Sequence, residues 1–448
     1  MSRIDLDLTK ILAEHVDMFH RIQLPSPVIH QVKRVLLDYL CAAVTGSQTE
    51  VSRLLYAYLL ETEGEGEFRT IGFEKGLSKT NSAFLNGTNA HCLDFDDGHT
   101  QGSIHPGAVV IPAVLAAARH VKATPQQWIA AVVAGYDICL RISSAMHPAS
   151  RNRGFHNTPV AGIFGAAAAA SFLNGATVAQ IQQAFGIAGS FCGGIFAFLG
   201  SGSEVKRLHP GQAARDGILA ADLALRGMTG PDRVFEGKNG FFQAFAGGEF
   251  STEHLLQNLA SSFSIMEVYF KPYPCCRHLH AVVDAIQEIK RLYPIQADQV
   301  AKIKIGVYQT AAAHHHKQCK NLLDAQMSLP YAAAAALLFD RIHVHVFQPQ
   351  YAPERLWEIC RATEIYVDEE ADRIYPRKRS ARVELEMVDG KRFRHFVDNP
   401  LGEPAKPMGD EQLAAKFIDN CTPILGEQEV KKILQDVKHM DKNIDFLF

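Results

Sequence analysis

Apolar positions in the first half of the chain recur at helical spacing. Val28, Val32, Leu36, Leu37 and Leu40 fall on one face of a helix that stops at Gly46. The same spacing persists from Ile11 to about Ala246. Its segments PAVLAAARHV, QQWIAAVVAGYDICLRIS, TPVAGIFGAAAAASFLNG, TVAQIQQAFGIAGSF and PGQAARDGILAADLALRG are rich in alanine and glycine. Small side chains let helix axes come close, so these segments predict one large, tightly packed helical domain. No period of ~20–50 residues marks a repeat.

Beyond Ile265 the pattern changes. VAKIKIGVY (300–308) alternates Ile303, Ile305 and Val307 with Lys302, Lys304 and Gly306, which predicts a half-buried strand. SARVELEMVDGKRFRHFV (380–397) predicts a hairpin with Asp389–Gly390 as a two-residue turn. EIYVDEE (364–370) adds a short strand, while SLPYAAAAALLF and the segment from Cys276 to Tyr293 predict helices. From about Asp410 helical spacing returns. The expected fold class is mainly α: a helical domain over 1–265, an inserted α+β lid over 266–402, and C-terminal helices over 403–448 that rejoin the helical body.

Composition narrows the functional class. The 448 residues suffice for more than one core, and 47% hydrophobic with 21% charged residues is the balance of a globular protein. A net charge of −3 supplies no basic field for nucleic acid. The start, MSRIDLDLTKILAEHV, carries acids where a signal peptide needs an apolar run. Val160–Leu173, read as the most apolar segment, is shorter than the ~20 residues of a membrane span. Nine cysteines without a CxxC predict reduced thiols and a cytoplasmic setting. The adjacent Cys275–Cys276 reads as packing.

Candidate chemistry concentrates in HCLDFDDGHTQGSIHPGAVVIP (91–112), which holds His91, His99, His105, Asp94, Asp96 and Asp97. His105 adjoins a proline-opened helix start. In GFHNTPVAG, Thr158 is the expected cap and Pro159 opens the helix, with His156 two residues outside. In EVKRLHPGQAARDG, Pro210 opens a helix, with His209 at the cap and Lys206 just before it. Helix N-termini attract carboxylates, so three such ends would form a polyanion pocket if they converge; otherwise each histidine simply caps its own helix. Asp94, Asp96, His99 and His105 are metal-ligand types, but their spacing matches neither H-E-x-x-H nor an EF-hand, so no metal is expected. His314–His316 reads as a solvated loop. Gly200-Ser201-Gly202 lacks the third glycine of a dinucleotide fingerprint, and neither a P-loop nor a G-x-S-x-G elbow occurs. In KPYPCCRHLHAVVDA (271–285), Arg277, His278 and His280 precede a helix near the domain junction, and Tyr331 lies in SLPYAAAAAL.

The segments AFLNGTNAHCLDFDDGH, SIHPGAVVIPAVLAAA, GFHNTPVAGIFGAAAAA, GSGSEVKRLHPGQAARDGILAADLALRGMTGP and KPYPCCRHLHAVVDA together resemble the MmgE/PrpD family, in order and over essentially the whole chain. That family includes 2-methylcitrate dehydratase, cis-aconitate decarboxylase and iminodisuccinate epimerase. The resemblance implies a helical domain with a smaller α+β lid, a homodimer through the helical domain, a site between domains, and no metal or organic cofactor. Carried over by position from the decarboxylase, it implies a site of Asp94, His105, His156, Lys206, His280 and Tyr331; Arg277 and His278, polar residues near the domain junction, and Gly98 are added as candidate substrate contacts. Gly98 stands where the mammalian-type decarboxylase has threonine, and the loop to His105 is one residue longer. The tryptophan-containing loop of bacterial methylcitrate dehydratases is missing. On this resemblance His105 is the principal acid–base residue and Asp94 orients an imidazole. Lys206 anchors the anion, His156 and His280 contact a carboxylate or transfer the second proton, and Tyr331 hydrogen-bonds or relays. The expected activity is a cofactor-independent lyase on a small di- or tricarboxylic acid, converting cis-aconitate to itaconate and CO2. Citrate-type dehydration, iminodisuccinate-type epimerisation and a non-catalytic binding protein on the same fold are the alternatives.

Overall fold

The computed structural model describes residues 6–200, 203–259 and 261–448. Ser201 and Gly202 of the glycine-rich loop, and the first five residues, lie outside them. The chain divides into two compact units. One gathers the residues up to Cys92, Asp96–Val268 and Gly409–Phe448; the other gathers Leu93–Phe95 and Tyr269–Met408.

The first unit is helical. Helix Ser26–Gly46 buries Val28, Val32, Val35 and Leu36, the face that the apolar spacing marks. The glycines set the distance between helices. A Cβ on Gly165 would stand 2.6 Å from the carbonyl oxygen of Gly135, so helices Pro125–Met146 and Asn157–Leu173 touch backbone to backbone. A Cβ on Gly211 would stand 2.0 Å from the carbonyl oxygen of Phe84, which brings helix His209–Leu225 equally close to helix Lys79–His91. Helix Asn157–Leu173 is buried on every side, which suits a sequence with no polar stripe.

Among the described residues one helix, Pro125–Met146, is long and apolar enough to cross a membrane, while Asn157–Leu173 is too short, as expected. At 22 residues Pro125–Met146 has the length, yet 94% of its apolar window is buried within the protein. Its buried charges are paired there. Asp137 Oδ2 accepts from Arg141 Nε at 2.7 Å and lies 2.5 Å from His15 Nε2. Burial pushes the Asp137 carboxyl up, but His15 and Arg141 overcome it and hold it at about 2. Helix Asp410–Leu425 belongs to this unit through Lys416, whose Nζ donates to the buried Asp38 Oδ1 at 2.7 Å.

The second unit is built on a four-stranded sheet. Strands β1 (Val300–Val307), β2 (Thr363–Val367), β3 (Ala381–Met387) and β4 (Arg392–Val397) lie in the order β2-β1-β3-β4. β1 and β2 run parallel; the other pairs are antiparallel, with Ile305 opposite Val383 and Val383 opposite His395. Ile303, Ile305 and Val307 are buried, whereas Lys302 reaches Glu364 at 2.5 Å. Helix His280–Leu292 buries Val282, Val283, Ile286 and Ile289 in the same core.

Two local expectations change. The hairpin closes with the N–H of Met387 donating to the carbonyl of Lys391 at 2.8 Å, so the turn has three residues rather than two. Gly390 takes φ +84°, the left-handed position that such a loop needs after a type I turn. The EIYVDEE strand stops at Val367, because Asp368 caps a short helix by accepting from the N–H groups of Glu370 and Ala371. The second compact unit runs to Met408, and segment 400–406 is tied to it. Leu401 N donates to Asp284 Oδ2 at 2.6 Å, and Phe270 N donates to the Gly402 carbonyl at 3.2 Å.

Candidate functional site

In the helical unit the three helix starts converge. Helix Lys79–His91 ends at His91, and the loop after it is held by Asp97. Asp97 Oδ1 accepts the N–H of Gly107, the first residue of helix Gly107–Val121, at 2.9 Å, and Oδ2 accepts Tyr136 Oη–H at 2.8 Å. Burial and the charges of Asp38 and Asp96 push the Asp97 carboxyl well up, against the pull of those donors. The carbonyl of Asp97 lies 2.8 Å from His105 Nδ1. A carbonyl only accepts, so the neutral ring carries its proton on Nδ1 and Nε2 is the basic nitrogen.

Within the helical unit a carboxylate that faces these imidazoles is Asp96. Asp96 Oδ2 is 2.8 Å from His91 Nδ1 and 3.5 Å from His105 Nδ1. The His91 and His105 rings meet edge-on at 4.9 Å, and His156 lies 6.1 Å from His91. The buried Nε2 of His91 has no hydrogen-bond partner among the described residues. His99 turns elsewhere: its Nδ1 accepts from Gly102 N, and its Nε2 is 3.4 Å from Glu267.

His156 itself occupies the N-cap of helix Asn157–Leu173, the place expected for Thr158. Thr158 Oγ1 instead accepts from the backbone N–H of His105 at 3.2 Å, joining two of the helix starts. His209 is the first residue of its helix and Pro210 the second. Its Nδ1 is 3.0 Å from His156 Nδ1, so one ring donates and the other accepts. Lys206 sits in the turn Glu204–Leu208 and is buried rather than exposed in a loop. Burial, then His209, His91, Lys206 and His105, push His156 well below the ordinary histidine range. Burial, His91 and Lys206 bring His209 down to about 4. Phe196 and Phe198 flank His156 at 5.2 and 5.9 Å and help exclude water. His156 and His209 are thus held as neutral imidazoles within the field of the Lys206 ammonium, an environment that gains from an entering anion. His91, Asp96 and His105 have donor atoms within 4.8 Å of one another and are also of the right types to hold a divalent ion. A cavity of about 210 Å³ lined by Leu40, Arg69, Arg119 and Phe448, among others, contains none of these histidines.

The second unit holds the remaining candidates except Gly98. Asp94, at φ +52°, pairs through Oδ1 with the fully buried Lys271 Nζ at 2.8 Å, and its carbonyl accepts from the same ammonium at 2.9 Å. His280 begins helix His280–Leu292 with both ring nitrogens engaged. Arg277 Nη1 donates to Nδ1 at 2.9 Å, which leaves the proton on Nε2, 3.1 Å from the carbonyl of Cys275. Burial, Arg277 and Lys271 keep that ring well below the ordinary range, so it is neutral. Arg277, expected as a substrate contact, is buried and bonded to Glu403 at 3.0 Å and to the Leu401 carbonyl at 2.9 Å. The Tyr331 hydroxyl donates to the carbonyl of Val346 at 2.9 Å, and burial pushes it up. His278 Nδ1 lies 2.5 Å from the hydroxyl of Tyr308. Gly98 is buried in the loop of the helical unit. Of His314–His316, expected to be solvated, His315 and His316 are exposed but His314 stacks on His278.

Sequence reasoning left His91, Asp96, His209 and Lys271 out of the site. The first three lie inside segments already singled out. Lys271 carried a weaker signal, a lone lysine between Phe270 and Pro272 in an apolar context.

Comparison with known proteins adds identity. Residues 10–253 match the profile of the MmgE/PrpD N-terminal domain and residues 273–440 that of the MmgE/PrpD C-terminal domain. The chain is 26% identical to the cis-aconitate decarboxylase-like protein oryM of Aspergillus oryzae, over 98% of this chain and 95% of that protein. It is 26% identical to a cis-aconitate decarboxylase of Aspergillus terreus, over 94% and 91% of the two chains. For the cis-aconitate decarboxylase of Mus musculus the identity is 25%, over 97% and 91%.

Proposed function

The chain belongs to the MmgE/PrpD family, and from that premise we propose that this lyase-type enzyme decarboxylates cis-aconitate to itaconate without a cofactor. The names of its relatives support the substrate. The observation that carries the reading is the gathering of His91, His105, His156 and His209 in the helical unit, with the Lys206 charge acting on His156 and His209. Each carboxylate entering that neighbourhood offsets the burial that keeps His156 and His209 neutral. It also meets the ammonium of Lys206 and the N–H groups of the helix starts.

In the reaction the C–C bond to one carboxylate breaks and CO2 departs. The electron pair left behind spreads through the adjacent double bond as an enolate-like anion beside a remaining carboxylate. A proton delivered to carbon completes itaconate. His105 is assigned this transfer, because the Asp97 carbonyl fixes its Nδ1–H and leaves Nε2 to carry the mobile proton. Asp96 acts as a positioning residue, holding His91 and favouring the imidazolium form that appears during turnover.

The test follows cis-aconitate, 2-methylcitrate and iminodisuccinate in parallel by proton NMR in deuterated buffer. Itaconate carrying deuterium is the expected product. Loss of water from 2-methylcitrate, or inversion of iminodisuccinate with α-deuteration, would replace decarboxylation with a sister reaction. Folded protein that neither turns over nor binds any of the three would sink the enzyme reading.

A further inference from the structure

The second unit contains a group of soft metal ligands that the acid–base chemistry does not use. Cys276, His278 and His314 each offer one donor atom, and the three atoms lie within 4.8 Å of one another. They come from separate places in the chain. Cys276 caps the turn Arg277–Leu279 that leads into helix His280–Leu292, and His314 follows the short helix Gln309–Ala312.

Both rings are held from behind. His314 Nδ1 is 3.0 Å from the carbonyl of Met327, so the proton sits on Nδ1 and the lone pair on Nε2. His278 is fixed through Nδ1 by the Tyr308 hydroxyl. Tyr308 is itself fully buried and stacked on Tyr375 at 4.2 Å and 12°, so this support is rigid. The two imidazoles stack at 5.4 Å. An imidazole whose far nitrogen is pinned by a carbonyl or hydroxyl is how metal-ligating histidines are oriented.

We infer that Cys276, His278 and His314 form a binding site for a divalent transition-metal ion of the Zn2+ class. One thiolate with two imidazoles suits Zn2+ or Co2+ and not Mg2+ or Ca2+, which take oxygen ligands. Zn–S bonds of about 2.3 Å and Zn–N bonds of about 2.0–2.1 Å place tetrahedral donors roughly 3.3–3.6 Å apart. The present spread therefore closes by about 1 Å, within reach of side-chain rotations. A fourth position stays open to water. The guanidinium of Arg277 is already paired with Glu403 at 3.0 Å, which limits its repulsion of the ion. Binding converts the thiol to a metal-bound thiolate and releases its proton to solvent. The ion would fasten the turn carrying Arg277 to the coil after Ala312.

The experiment strips the full-length protein with a chelator and titrates it with Co2+. The expected result is one ion per chain, a thiolate-to-cobalt charge-transfer band, displacement by Zn2+, and proton release in weak buffer. Cys276→Ser should abolish the band, and His314→Gln should weaken Co2+ binding by at least about tenfold. Absence of a tight site in the parent, binding without the band, or a band that survives Cys276→Ser would each overturn the inference. Should the variants fold poorly, alkylation of the parent gives a second reading. Zn2+ should protect Cys276 selectively, and unchanged labelling there refutes the site.

Discussion

Replacing Lys206 with methionine asks whether the histidine cluster is built for an anion. Lys206 is only 6% exposed, so its stem is packed. Alanine, the natural choice for a loop lysine, would open a hole there, whereas methionine keeps the volume and removes only the charge. Two effects follow. After burial and His91, the Lys206 charge contributes to the fall of His209 from 6.5 to about 4. Without it, His209 should titrate part of the way back, since burial and His91 remain. A bound carboxylate also loses a charge-assisted contact worth about 1.5–3 kcal/mol, which corresponds to a factor of about 10–100 in affinity. NMR titration of the His209 ring protons reads the first effect, and KM for cis-aconitate reads the second, with thermal melts to confirm that the fold is kept. An unchanged KM together with His209 still titrating near 4 would refute the placement of Lys206 beside the anion.

The other predictions test different parts of the molecule. Lys271→Met strips the buried Asp94 of its ammonium partner and should cost about 3–5 kcal/mol, seen as a lower urea midpoint. Adding Asp94→Asn should recover part of that loss, and strictly additive effects would disprove the coupling. In the unfolded chain a histidine binds its proton near 6.5, but folded His209 does so only at about 4, so the protein loses stability as pH falls through that window. His209→Gln should make the melting temperature fall less steeply there, and matching slopes would count against the assignment. Dialysis against a strong chelator should leave turnover intact, because the rings alone move the protons; activity restored by one particular divalent ion would contradict this.

Much of the architecture is written in local pattern. The alanine- and glycine-rich helical runs already carry the close helix contacts, and Gly135 meeting Gly165 is their direct outcome. The β1 alternation likewise places Ile303, Ile305 and Val307 inside. His105, His156 and His209 were visible as residues beside helix starts, because caps and prolines leave local marks. The hairpin turn was less legible, since Asp389–Gly390 fits both a two-residue turn and the three-residue one that forms. Strand pairing and side-chain packing settle that choice, not the dipeptide.

Periodicity tells which face of an element is buried, but not which distant element supplies the partner for a charge placed there. Asp94 and Lys271 are 177 positions apart, and His156 and His209 are 53 apart. A buried charge is stable only beside a counter-charge or donor, so packing decides each pairing after the elements are placed. For that reason the sequence marked an acidic, histidine-rich loop and three helix starts, while the tertiary structure set Asp96 against the His91 imidazole and paired Asp94 with Lys271. It also tied Arg277 to Glu403 and His280, and it buried Lys206. What local sequence determines is the supply of chemical groups; which of them meet, and in which protonation state, depends on the distances and desolvation that only the packed chain creates.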